Sequence, residues 1–237
     1  MKTLEVLYPE LCHIYAESFN AELLAKCSPE ISLVNTSNRE KPLFLQGKAD
    51  MVYIGCASEA KQEMILKLLM PYREEIRAAI ENGVIILATG NALELFGAYI
   101  EDGDRKIGAL DLFPFCAKRL AGGARHNSQF IAEFEGMTLL GHKSQFSFAY
   151  PLGDGADIDP AFMTVRKGVG MNPGTAKEGI RYKNFFGTYS VGPFLVLNPD
   201  FTQYLLRLLG LCDDLCFEQE YYEAYRYRLE KLESALS

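Results

Sequence analysis

The stretch Val84-Ile85-Ile86-Leu87-Ala88-Thr89-Gly90-Asn91 decides the fold. Its first five residues are an unbroken apolar run of strand length. A strand apolar at every position is covered on both faces, as in the middle of a parallel sheet. Thr89-Gly90-Asn91 then reads as a tight turn and Ala92 to Tyr99 as a helix. Strand, sharp turn and helix together resemble a nucleophile elbow. Such a turn holds its central residue in strained backbone, so that the side chain projects past the sheet near helix N-terminal amides. Here the central residue is Gly90, which has no side chain to project and which relaxes the turn.

Toward the N-terminus the pattern alternates. Glu59 to Asn82 has helical periodicity, broken near Pro71 and stopped by Gly83. Asp50 to Ile54 reads as a strand running into Gly55, and Ile31 to Val34 as another. Glu10 to Lys26 reads as a helix on the spacing of Leu11, Ile14, Tyr15, Phe19, Leu23 and Leu24, and Thr3 to Tyr8 as a strand ended by Pro9. This succession predicts an α/β fold with a mostly parallel central sheet and right-handed crossovers.

Beyond Gly103 short alternating runs such as Phe130 to Glu135 and Phe146 to Tyr150 predict additional antiparallel or mixed strands. Pro151 to Pro160 reads as a polar loop, Phe185 to Tyr189 as a late strand and Pro199 to Leu209 as a helix. A last helix is expected at about 214–236, inside a single domain covering 1–237. Its Tyr222, Tyr225, Leu229, Leu232 and Leu236 form one stripe, which suits packing on its own domain or facing a partner.

The 237 residues are 49% hydrophobic, enough for a sizeable core, and carry a net charge of −7, which argues against a general grip on nucleic acid. No stretch approaches a membrane span and Met1 to Glu5 has no apolar signal region, so a cytoplasmic setting is expected. The six cysteines then read as thiols; Cys212 and Cys216 sit four apart, but no second pair completes a zinc site, and no metal is expected. Gly136 to Ser144 misses a phosphate-binding loop by one residue, and Gly168-Val169-Gly170 with Gly174 misses a dinucleotide fingerprint, so no cofactor is expected.

Several blocks carry a family resemblance. They are Leu4 to Leu11 with Tyr15 and Asn20; Asp50 to Gln62; and Glu75 to Gly83. Strongest is the late series, Lys167 to Asn172, Glu178-Gly179, Tyr182-Lys183-Asn184, Gly187-Thr188-Tyr189, Gly192-Pro193 and Asn198-Pro199. Together they resemble the glutamine amidotransferase domains of the cobyric acid synthase type, most closely the branch that serves amidation of the peptidoglycan precursor lipid II. The similarity spans most of the chain and is weak at about 103–160. It implies a class I amidotransferase fold, a flavodoxin-like or Rossmann-like three-layer sandwich.

The resemblance also implies chemistry. Family members hydrolyse glutamine with a cysteine thiolate at the elbow, a late histidine as base, and backbone amides for the oxyanion. The family's elbow, roughly Ala-Ile-Cys-Gly-Gly-Tyr-Gln-Leu-Leu-Gly, is here Ala88 to Gly97, so Gly90 stands at the nucleophile and Glu94 at the glutamine. The late Gly-Thr-Tyr-x-His-Gly-Pro is here Gly187 to Pro193, so Val191 stands at the base, and the oxyanion-side loop is altered to Gly55-Cys56-Ala57-Ser58. A domain without glutaminase activity is the expectation, with no catalytic residues and a binding pocket formed by Gly55, Cys56, Ala57, Thr89, Gly90, Asn91, Glu94 and Ser190. Cys56 is the substitute nucleophile to weigh, with His142 or His13 as base; His126 reads as a surface residue. Glu94 reads either as a solvated or capping carboxylate or as an acidic wall that favours an amine ligand. The resemblance implies an ATP-dependent Mur-ligase-like partner subunit. A small-molecule ligand of the vestigial pocket is the other reading.

Overall fold

The fold was obtained as a computed structural model, which describes residues 1–12, 14–153 and 159–236. The chain runs β1 (Lys2–Leu7), α1 (Ser18–Cys27), β2 (Ile31–Thr36), β3 (Met51–Ile54), α2 (Glu59–Leu69), α3 (Arg73–Glu81) and β4 (Ile85–Thr89). It continues through β5 (Tyr99–Asp102), β6 (Arg105–Gly108), β7 (Phe115–Arg119), β8 (His126–Phe134), β9 (Met137–Gln145), β10 (Ser147–Pro151), β11 (Ala161–Lys167), β12 (Lys177–Tyr182) and β13 (Phe185–Thr188). It ends with α4 (Pro199–Leu208) and α5 (Glu218–Ala235).

Among the described residues nine strands form one sheet in the order β2-β1-β3-β4-β13-β12-β11-β8-β9, and four form a second in the order β10-β7-β5-β6. β2, β1, β3, β4 and β13 are mutually parallel. From β13 onward every pairing in the large sheet is antiparallel. The sheet is thus half parallel and half antiparallel, and β13 belongs to both halves.

Strand periodicity divides the core. Val52, Ile54, Ile86 and Ala88 meet α2 and α3 through Ile65, Leu66, Ile76 and Ile80. Met51, Tyr53, Ile85 and Leu87 meet α1 and α4 through Leu24, Phe201 and Leu205. Helices on both faces of β4 are what its five consecutive buried residues require. Ile100, Phe115, Ala117 and Ala149 of the second sheet join the α2/α3 side. The amphipathic stripe of α5 is spent inside the chain: Leu232 is buried with Ile131 and Leu140, with Tyr225, Leu229 and Leu236 packed alongside. No helix among the described residues is long and apolar enough to cross a membrane.

Two expected helices differ. The one expected from Glu10 to Lys26 begins only at Ser18. Tyr15 and Ala16 have φ of 67° and 55°, and two consecutive left-handed residues cannot propagate an α-helix. Turns satisfy the apolar spacing instead, burying Leu11 and Cys12. The helix expected from Ala92 to Tyr99 is a 3-10 segment, Gly90–Phe96. Gly97 ends it against β7, where an added Cβ would lie 2.8 Å from Phe115 Cε2, and Tyr99 enters the second sheet. The break at Pro71 falls as expected, between α2 and α3. The polar loop expected at Pro151 to Pro160 lies partly outside the described residues.

Candidate functional site

Open α/β sheets bind ligands beyond the carboxyl ends of their parallel strands. Here the segments following β3, β4 and β13 converge at that edge. Together with Ile14 and Tyr15 ahead of α1 and the turn joining β9 to β10, they enclose a cavity of about 270 Å³. Cys56, Ala57, Gly90, Asn91, Glu94 and Val191 line it, as do Tyr15, Ser144, Gln145, Arg119 and Arg125. Gly55, Thr89 and Ser190, expected in the pocket, sit behind this wall.

Gly90 terminates β4 with φ of 60°, its amide donating to the Ser190 carbonyl at 3.0 Å. A Cβ added there would lie 2.7 Å from Cys56 Cβ and 3.0 Å from both Cys56 Sγ and Val191 Cγ1. The Cys56 side chain therefore fills the volume that a side chain at position 90 would need. Val191 is buried, its amide donating to the His142 carbonyl at 2.8 Å.

The loop after β3 is fastened from two sides. The Cys56 amide donates to Glu17 Oε2. The Ala57 amide donates to Asn91 Oδ1 at 2.9 Å, and Asn91 Nδ2 returns a bond to the Ala57 carbonyl at 2.7 Å. Glu17 also accepts from Thr89 Oγ1 and from the Gly192 amide, each at 3.3 Å, and so joins all three segments. Asn20, one turn later, donates to Tyr53 Oη and the Gly192 carbonyl and accepts from the Leu195 amide. Burial raises the Glu17 carboxyl from 4.5 to about 8. Burial first, and then Glu17, push the Cys56 thiol far above the usual thiol range; the same two causes raise Cys12 to about 12. A thiol held neutral in this way is a poor nucleophile.

Glu94 is neither solvated nor a helix cap. It is buried, accepting from Tyr189 Oη at 3.0 Å, Gln62 Nε2 at 2.8 Å and Ser147 Oγ, and burial raises its carboxyl. Arg119 steadies this wall by donating to Gln62 Oε1 at 3.1 Å while pairing with Asp102 at 2.9 Å. Arg125 lies over the Phe146 ring. Glu17, Gln62 and Arg119 were missed in the sequence: the carboxylate lay inside what reads as a helix, and the other two become neighbours only through the second sheet.

No histidine lines the cavity among the described residues. His142 sits on β9 in the field of Arg228 from α5, and His126 packs its ring 5.1 Å from that of Phe148. The remaining candidate base, His13, lies outside the described residues. Behind the site, the buried Lys143 ammonium pairs with Glu178, which also accepts from Thr188 Oγ1 at 2.9 Å and the Tyr189 amide at 2.8 Å. That pair holds the exit of β13, which carries Val191.

A subunit of lipid II isoglutaminyl synthase (glutamine-hydrolyzing) from Staphylococcus aureus, GatD, is 28% identical over 84% of this chain and 78% of its own length. The subunit of the same name from Streptococcus pneumoniae is 25% identical over 82% and 75%. A crystal structure described as a glutamine amidotransferase superposes with a TM-score of 0.58 at 16% identity, covering 87% of this chain and 99% of that one. The model of the CobB/CobQ-like glutamine amidotransferase domain matches residues 3–199. The α/β sheet, the site at its carboxyl edge and these likenesses agree, and the chain belongs to the family of CobB/CobQ-like glutamine amidotransferase domains.

Proposed function

We propose that this chain is an amidotransferase-fold subunit that does not hydrolyse glutamine and works by binding, in the cytoplasm, beside an ATP-dependent Mur-ligase-like partner. One observation carries the reading: the side chain of Cys56 occupies the space that a nucleophile at position 90 would fill, with apolar Val191 against it. Family chemistry, as the resemblance implies, needs a thiolate at the first position, an imidazole at the second and free amides for the oxyanion. Here the Cys56 and Ala57 amides already donate to Glu17 and Asn91. The relatives' description as synthase subunits supports a partner, and the retained cavity supports a ligand.

A second reading has an observation in its favour. Cys56 Sγ stands 3.0 Å from the Cβ position of residue 90, close to where the family's sulfur begins. An enzyme with a displaced nucleophile would use it. The neutral, buried state of that thiol opposes this, because attack requires the thiolate. Ammonia release from glutamine separates the two readings. The purified chain, alone and mixed with a Mur-ligase-like subunit, is expected to release none above the blank. Turnover that disappears in Cys56→Ala would establish the second reading instead. Co-elution with the ligase-like subunit in size-exclusion chromatography tests the partner independently.

A further inference from the structure

Cys27 ends α1 and Cys216 lies in the segment that leads into α5, far apart in the chain. The fold brings their Sγ atoms to 3.2 Å, and the Cys216 amide donates to Cys27 Sγ at 3.4 Å. Both side chains are half-buried and both thiols are free. Their surroundings are packed. Leu215 and Tyr221, on either side of Cys216, are buried in the core layer against which Cys27 packs, and Tyr221 Oη reaches the Leu195 carbonyl. The contact therefore lies against packed structure on both sides of Cys216.

We infer that Cys27 and Cys216 form a dithiol–disulfide site, oxidised by a peroxide, whose closure fastens the segment leading into α5 onto the end of α1. A disulfide needs the sulfurs at about 2.05 Å, so closure asks for an approach of about 1 Å, within the reach of side-chain rotation. Burial raises the Cys27 thiol to about 11. Whichever sulfur reacts first, the other stands 3.2 Å away to resolve it, as in the course through Cys216. The Cys216 thiolate attacks one peroxide oxygen, the O–O bond breaks, and the departing oxygen leaves as water after protonation. Cys27 sulfur then displaces the hydroxyl from Cys216 Sγ, its own proton leaving with that oxygen as a second water. Two thiols and one peroxide give one disulfide and two waters, and the two electrons pass from sulfur to peroxide.

The site does not depend on the glutaminase reading. Glu17, at the N-cap of α1, and Asn20 within it hold the cavity wall, so the bond would tie the segment leading into the last helix to the helix that supports the site. Cys212 is the competitor: it is exposed, sits in the same segment and donates to Asp214 Oδ2 at 3.0 Å.

Peptide mapping after treatment with hydrogen peroxide tests the inference. The expected result is a peptide linking Cys27 to Cys216, with two fewer of the six thiols open to alkylation after denaturation. The melting temperature should rise by about 5–15 °C, as expected for closing a long loop in a chain of this size, and a reducing dithiol should reverse it. Cys27→Ser and Cys216→Ser should lose both signals, and Cys212→Ser should keep them. A link between Cys212 and Cys216, links between molecules, or an unchanged melting temperature would overturn it; the mapping on the unmodified chain decides even if a variant folds poorly.

Discussion

Placing a cysteine back at the elbow tests how positions 56 and 90 share space. In Gly90→Cys the new Cβ would meet Cys56 Cβ at 2.7 Å and Cys56 Sγ and Val191 Cγ1 at 3.0 Å, distances below ordinary contact. Overpacking of this kind costs about 1–3 kcal/mol. The φ of 60° adds about 1–2 kcal/mol for a residue with a Cβ. The single variant should therefore lose about 2–5 kcal/mol, a fall of about 5–15 °C in melting temperature. Cys56→Gly removes two of the three close contacts. Combined with Gly90→Cys it should recover part of the loss, with a coupling energy of about 1–2 kcal/mol in a double-mutant cycle. Urea denaturation of the parent chain, both single variants and the double variant measures that coupling. Additivity within about 0.5 kcal/mol would refute the reasoning, because the two side chains would then not compete for one volume. The corollary for activity is that Gly90→Cys with Val191→His should be a poor rescue until Cys56→Gly is added.

Three further outcomes follow from the site. Glu17 holds its proton in the folded chain up to about pH 8, whereas the unfolded chain releases it near 4.5. Unfolding in that window releases a proton, so rising pH lowers stability, by at most about 1.4 kcal/mol per unit from this group; Glu17→Gln should flatten the slope of stability against pH measured by denaturant titration, whatever its absolute stability. Native-state alkylation followed by mass spectrometry should label exposed Cys212 first and leave buried Cys12 and Cys56 unmodified over the same time, and rapid labelling of Cys56 would contradict the neutral-thiol description. Lys143→Met should cost about 3–5 kcal/mol in thermal denaturation by leaving Glu178 without its buried cation, and a change within about 1 kcal/mol would show that the pair contributes nothing to the exit of β13.

The parallel half of the fold was legible because β3 and β4 announce themselves by unbroken apolar runs, and Gly83 and Pro71 punctuate the helices between them. The break before α1 was not, because Leu11, Ile14 and Tyr15 keep helical spacing while the backbone at Tyr15 and Ala16 turns left-handed to bring Glu17 inward. β11 and β12 escaped notice because they pair with each other across the irregular connection 168–176 and not across a tight turn, and their outer neighbours, β8 and β13, are set by the fold. At the site, Gly90, Cys56, Asn91, Glu94 and Val191 were named from the resemblance and do meet around one cavity. That Cys56 packs into the space beside Gly90, and that Glu17 and Asn91 consume the loop amides, are facts of three-dimensional neighbourhood that no spacing in the chain encodes.

The position of β13 has a consequence in time. Synthesis delivers β1, β3 and β4 long before residues 185–188, which pair with Ile86 to Thr89 and seal that side of β4. Until they arrive, an apolar strand offers an open backbone edge, the template on which neighbouring chains add. The interval in which residues 90–184 are being made is thus the period of greatest hazard for the nascent chain. A stall or truncation within it should yield aggregates and not a smaller folded protein. β13 acts on its own sheet as a late-arriving chaperone would, by occupying the edge.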